Sequence, residues 1–105
     1  MKIILVIAML LPVISFADQS VQTISIKDHK FEPALITIPA GQKVKLLIEN
    51  KDNTPEEFDS HALNREKIIA GNASTVIYIG PLDAGQYPFV GEFNETTAHG
   101  AIKVE

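Results

Sequence analysis

From residue 18 onward this chain sustains no helical period. It is cut into short apolar or alternating runs, each closed by proline, glycine, asparagine or a charged cluster. Strand-length runs with regular turn punctuation point to packed sheets. Residues 21–26, 34–38 and 43–49 read as strands, with Pro39-Ala40-Gly41-Gln42 as the turn between the last two. Ser74–Ile79 alternates and is rich in β-branched residues, so it reads as a strand between the turn at Gly71-Asn72 and the broad turn at 80–85. Residues 87–90 and 101–104 close the set, and 58–63 and 68–70 are weaker strand segments. Thr54-Pro55-Glu56-Glu57 has the pattern of a helix start: Thr can cap, Pro suits the first helical position, and Glu57 closes a capping box. At most one short helical turn is expected there. About seven short strands bury a core only as two packed sheets, so the expected class is an all-β sandwich.

The first 17 residues have a different character. Met1-Lys2 is positive, 3–14 is an apolar run interrupted by Pro12, and Ser15-Phe16-Ala17 is a small-x-small site before polar Asp18. That order is the order of a cleaved secretory signal, and the run is shorter than the ~20 residues of a spanning helix. The expected organisation is a signal peptide at 1–17 and one domain at 18–105, exported to the periplasm. Met1 and Met9, the only methionines of the chain, both fall in the leader, and there is no cysteine at all. The exported domain therefore has no sulfur ligand to offer. The net charge of −4 with no basic patch argues against nucleic acid and against an anionic membrane surface. No nucleophile elbow and no glycine-rich phosphate loop is present.

If successive strands run antiparallel, the loops at 27–33, 50–57, 70–73 and 91–99 share one end of the sandwich. The turns at 39–42 and 80–86 share the other. That parity gathers His29, Glu32, Glu56, Glu57, Glu92, Glu95 and His99 at one pole. Imidazole and carboxylate donors suit Cu(II), iron or Mn(II). Each residue also has a structural reading. Glu56 and Glu57 can cap a helical turn, Glu92 can pair with Arg65 or Lys67, and His29 and His99 can be solvated or satisfied histidines. His61 reads as a surface residue, and Arg65-Glu66-Lys67 as a solvated charge network.

Phe31-Glu32-Pro33, Ile36-Thr37-Ile38-Pro39-Ala40-Gly41, Val44 and Asn50 resemble the opening of a cupredoxin. Gly80-Pro81-Leu82, Gly85-Gln86-Tyr87-Pro88-Phe89-Val90 and Gly100-Ala101-Ile102-Lys103-Val104 resemble its closing hairpin. Lys27-Asp28-His29-Lys30-Phe31, 54–60, 64–67 and Gly91-Glu92-Phe93-Asn94 resemble the small periplasmic cupredoxins associated with FTR-type ferrous-iron permeases, and the cupredoxin domain of the EfeO proteins. The resemblance implies a Greek-key sandwich, a copper or iron ion as cofactor, and an iron permease or other periplasmic iron-uptake component as partner. It also implies that Gly91 stands where a blue-copper protein has its cysteine, and Asn94 where it has its second histidine. His99 falls near the methionine position, and Glu56 or Glu57 in the region of the first histidine. Composition thus excludes blue-copper electron transfer. The expected function is non-blue metal binding through Glu57, Glu92, His99, His29 and Glu56 in ferrous-iron uptake, assisting oxidation or delivery of Fe(II). The competing expectation is a metal-free interaction module docking a transporter, and a self-standing ferroxidase is the third.

Overall fold

The computed structural model describes residues 2–4, 6–8 and 20–105. The six described leader residues carry no secondary structure, and the cleavage site at Ala17 lies outside the described residues. Nine strands follow in chain order: β1 (Ser20–Lys27), β2 (Lys30–Glu32), β3 (Leu35–Ile38), β4 (Val44–Asn50), β5 (Glu56–Ser60), β6 (Arg65–Ile69), β7 (Ser74–Ile79), β8 (Gly85–Gly91) and β9 (His99–Val104). A 3-10 turn at Glu92–Asn94 is the one helical element among the described residues. One sheet has the order β2-β1-β4-β7 and the other β3-β9-β8-β5-β6. The chain is therefore the all-β sandwich expected, with two more strands than the runs suggested.

The inward faces follow the period of two that strands impose. In β4, Val44, Leu46 and Ile48 are buried and alternate with half-buried Lys45, Leu47 and Glu49. Ile24 and Ile26 of β1 and Ile77 and Ile79 of β7 complete that side, and Ile36, Ile38, Phe58, Ile69, Phe89, Ile102 and Val104 meet them from the other sheet. Phe31, Phe58 and Phe89 form an aromatic cluster, with centroids 4.9 Å apart for Phe31–Phe89 and 5.0 Å for Phe58–Phe89.

Two pairings are parallel, β1 with β4 and β3 with β9. Neither joins strands consecutive in sequence, and the loops still segregate to two poles. At one, Ala40 N–H donates to Glu105 O and Gly41 N–H to Leu82 O. At the other, Lys51 N–H donates to Ile26 O and Asn72 N–H to Asp52 O, and Thr97 Oγ1 donates to His29 O. Asn50 pins this second pole from inside. It is 2% exposed, its Nδ2 donates to Thr54 O at 2.8 Å and Ile69 O at 3.2 Å, and its Oδ1 accepts from Asp52 N–H at 3.1 Å.

The helical turn expected at 54–57 does not form. Glu56 and Glu57 pair with Ile69 and Ile68 as the start of β5, a strand held on both sides by β6 and β8. Sheet pairing outweighs a local capping pattern there. The strand read at 58–63 ends at Ser60, and 61–64 is a turn, with Asn64 at φ 53. The loop read at 27–33 contains the short β2, paired with β1.

Candidate metal centre

Alternation along β5 sends its two glutamates to opposite sides. Glu56 shares the inward side with Phe58 and is 1% exposed. Its Oε1 accepts from Glu57 N–H at 3.0 Å and from Phe93 N–H at 2.9 Å, and its Oε2 accepts from Asn94 Nδ2 at 2.7 Å. Buried polar groups in stable proteins are satisfied in this manner. The carboxylate lies against Gly91. A Cβ on Gly91 would sit 2.7 Å from Glu56 Cδ, 2.9 Å from its Oε2 and 2.7 Å from the Ala98 Cβ.

This is the apex at which the sequence resemblance placed copper. The residues present do not fit that ion. The one strong donor, Glu56, is consumed by three protein donors, Ala98 adds only a methyl group, and no side chain fits at position 91. Asn94 turns its amide N–H to Glu56.

Glu57 faces outward, on the open side of the five-stranded sheet. Register explains its neighbours. Phe58 pairs with Gly91, which sets Glu92 beside Glu57, and Asp59 pairs with Glu66 on β6. One carboxylate oxygen from each of Glu57, Glu66 and Glu92 lies within 4.8 Å of the others. Glu57 is only 7% exposed. No Lys, Arg or His among the described residues makes an ion pair with it; the ion pairs present are His29–Asp52 and Lys103–Glu105. Arg65 turns away, donating from Nε to Tyr78 O and from Nη1 to Asn64 O. Glu57 is accordingly raised to about 7, first by the hydrogen bond it shares with Glu66, then by burial and by the negative charges of Glu92, Glu66 and Asp59. The cluster opens to surface clefts on both sides: one lined by Glu57, Glu66, Lys67 and Ile68, and one of about 260 Å³ lined by Asp59, Ser60, His61, Asn64, Arg65, Glu66 and Glu92.

Of the five residues expected as ligands, Glu57 and Glu92 come together and three do not join them. His29 sits at φ 57 in the β1–β2 turn, its Nδ1 3.6 Å from Asp52 Oδ2. His99 is exposed on β9 opposite Val90, which separates it from Asp59. Glu56 faces the interior. Glu66, read as part of a solvated charge network, is the residue that sequence reasoning missed. Its place depends on the β5–β6 register, which a short β6 with four exposed residues gives no sign of.

The chain belongs to the family of cupredoxin-like domains, whose pattern it matches over residues 1–104. It is 47% identical over 81 residues to an uncharacterized protein, RP394, of Rickettsia prowazekii strain Madrid E, covering 77% of this chain and 65% of the relative. The chain thus spans just under two thirds of that relative's length. Auracyanin A, a blue copper protein of Chloroflexus aurantiacus, superposes with a TM-score of 0.71 at 14% identity, over 83% of this chain and 99% of auracyanin. The metal-binding domain of the Streptococcus pneumoniae D39 Cu(I)-exporting ATPase CopA, solved with Cu(I), superposes with a TM-score of 0.69 at 17% identity, over 81% of this chain and 84% of that one. At such identities the likeness is one of fold.

Proposed function

We propose that this protein is a periplasmic metal-binding protein that takes a hard, oxygen-preferring cation on the outer face of its sandwich, at Glu57, Glu66 and Glu92, in the service of ferrous-iron uptake. The observation that carries the reading is Glu57, a residue 7% exposed whose carboxylate lies within 4.8 Å of two others and with which no cation among the described residues pairs. Placing three acids together is costly without a counter-charge, and a bound cation removes the cost. An all-oxygen set suits Mn(II) or iron and disfavours Cu(I), which prefers sulfur. Export rests on the leader pattern of residues 1–17, and delivery to a permease rests on the subgroup resemblance of 27–31, 54–60 and 91–94.

Titration of the purified protein with Fe(II) under anaerobic conditions, and separately with Cu(II), tests the reading. Fe(II) is expected to bind tighter than about 10 μM, equivalent to ~7 kcal/mol, and to raise the melting temperature. The Glu57→Gln/Glu92→Gln variant is expected to lose both effects. If neither metal binds tighter than that and neither shifts the melting temperature, the metal reading is wrong. The sealed apex favours the second reading, a metal-free module that docks a transporter, and that result would leave it standing. N-terminal sequencing of the exported protein is expected to begin at Asp18.

A further inference from the structure

The β5–β8 register ends at the Phe58–Gly91 pair, one residue short of Glu92. Glu92 nevertheless has to hold its place beside Glu57 for the outer centre to exist. Hydrogen bonds donated by Phe93 and Asn94 and accepted by Glu56 tie the Glu92–Asn94 turn to β5. Its Oε1 accepts from two amides at once, that of Glu57 and that of Phe93, the residue bonded to Glu92. One oxygen atom thus joins the Glu57 amide to the Glu92–Phe93 peptide group. Its Oε2 holds the far end of the same turn through Asn94 Nδ2.

We infer that Glu56 is the positioning residue of the Glu57–Glu66–Glu92 centre: from the interior, through backbone amides, it fixes the spacing of Glu57 and Glu92 on the opposite face of the strand. This inference rests on the reading of that centre as a cation site. Glu56 touches no bound cation itself, since it faces the core. It stands at the apex where the fold's relatives were expected to begin their copper site, and it ties together there, with protein donors alone, the strand and loop that a metal would have tied. Loss of such a supporting group lowers metal affinity by about 10- to 100-fold in comparable sites.

A reversal of polarity tests it. In Glu56→Gln one half of the side chain must present an N–H to a donor, either to Asn94 Nδ2 or to the paired amides. Adding Asn94→Asp supplies an acceptor for that N–H and restores the total charge. Fe(II) affinity is expected to fall at least about tenfold in Glu56→Gln, with faster hydrogen exchange at the Glu57 and Phe93 amides. Both are expected to return in Glu56→Gln/Asn94→Asp. If Glu56→Gln exchanges faster at those amides or melts earlier but binds Fe(II) as the wild type does, Glu56 is merely structural and the inference is overturned. If Glu56→Gln does not fold, the double variant decides alone: wild-type affinity supports the inference, and a folded double variant that binds weakly overturns it. A wild-type protein that binds no cation fails at an earlier stage, sinking the site reading and this inference together, so the two failures are told apart.

Discussion

Glu56 and Glu57 are adjacent in one strand, yet the first accepts three hydrogen bonds from the protein and the second faces two other carboxylates. The pleat alone produces this difference, by sending successive side chains to opposite faces. The inner glutamate is fully satisfied and closes the apex. The outer one is left with an electrostatic deficit that a cation can correct. On the proposed reading, the two residues move the cation site from the pole of the sandwich to its flank.

That deficit gives the protein a pH signature. Glu57 is raised from 4.5 to about 7 in the folded state, so the fold binds more protons than the unfolded chain between those values. The stability that Glu57 contributes is therefore fully present below 4.5 and is lost as pH rises through 7. On the acid side, Asp52 works in the other sense. The His29 amide holds its carboxyl below 3.8; burial opposes this, and the Asp28 amide adds to the lowering. Its contribution is present above 3.8 and is lost as pH falls through the lowered value. Thermal melts across pH are expected to decline on both sides of the interval between those two ranges. Glu57→Gln is expected to flatten the neutral side alone and to melt above the wild type at alkaline pH in the absence of metal. An unchanged neutral limb in that variant would refute the assignment to Glu57.

Asn50 is the inner tie of the pole that holds the 50–55 and 70–73 loops. Its side chain bridges the 50–55 loop and the end of β6 with donors to Thr54 O and Ile69 O, while accepting from Asp52. Asn50→Ala strands those buried carbonyls and is expected to cost about 1–3 kcal/mol. Asn50→Asp keeps the volume but replaces donors by acceptors facing carbonyl oxygens, so it is expected to cost no less. Urea denaturation of both variants checks the order, and a nearly neutral Asn50→Asp would contradict the donor role.

The pleated parts of this fold were legible because their evidence is local. Ser74–Ile79 is bounded in the structure where alternation bounded it, and Gly41, at φ 74, makes the turn that Pro39-Ala40-Gly41-Gln42 announces. Asn50 belongs to the resemblance and serves as an anchor in the structure. The gathering of the loops at 27–33, 50–57, 70–73 and 91–99 at one end followed from strand parity and survived the two parallel pairings, although Glu56 and Glu57 proved to belong to β5. The candidate site was only half legible. Glu57 and Glu92 lie in motifs, but Glu66 joins them through a register that no local pattern encodes, and Glu56 was separated from Glu57 only once β5 was known to be a strand. The capping box at 54–57 misled because its residues satisfy two local patterns, and the partners that decide between them are Ile68 and Ile69, more than ten positions away.

The aromatic cluster packs beneath the strand that carries Glu57. Phe58 sits between Glu57 and Asp59 on β5, fully buried, with Phe89 at 5.0 Å and Phe31 at 6.2 Å between ring centroids. Phe58→Ala is expected to cost about 3–5 kcal/mol from lost burial and the cavity left behind. Phe58→Leu refills most of that volume and is expected to cost distinctly less. Denaturant midpoints at constant slope would show this, and a Phe58→Ala loss under 1 kcal/mol would mean that β5 is held by its hydrogen bonds alone.

Gly91 offers the sharpest test of the sealed apex. Its backbone lies at φ −91 and ψ 104, a conformation open to any residue, so glycine is not required there for torsional reasons. What excludes a side chain is space: the first carbon would press on Ala98 and on the Glu56 carboxylate, both fully enclosed. Gly91→Ala is therefore expected to destabilise the fold by about 1–3 kcal/mol, the usual cost of overpacking. Gly91→Cys meets the same carbon-level clash and still lacks the two imidazoles a copper–thiolate centre needs. With Cu(II) added, it is expected to show no intense blue absorption, although it carries the ligand in which this chain most plainly departs from blue-copper proteins. Truncating Glu56 to alanine in the Gly91→Ala background makes room for the new methyl group. If the clash is the cause, the two substitutions together cost less than the sum of their separate effects. Strict additivity would show that Gly91 and Glu56 are not packed as described.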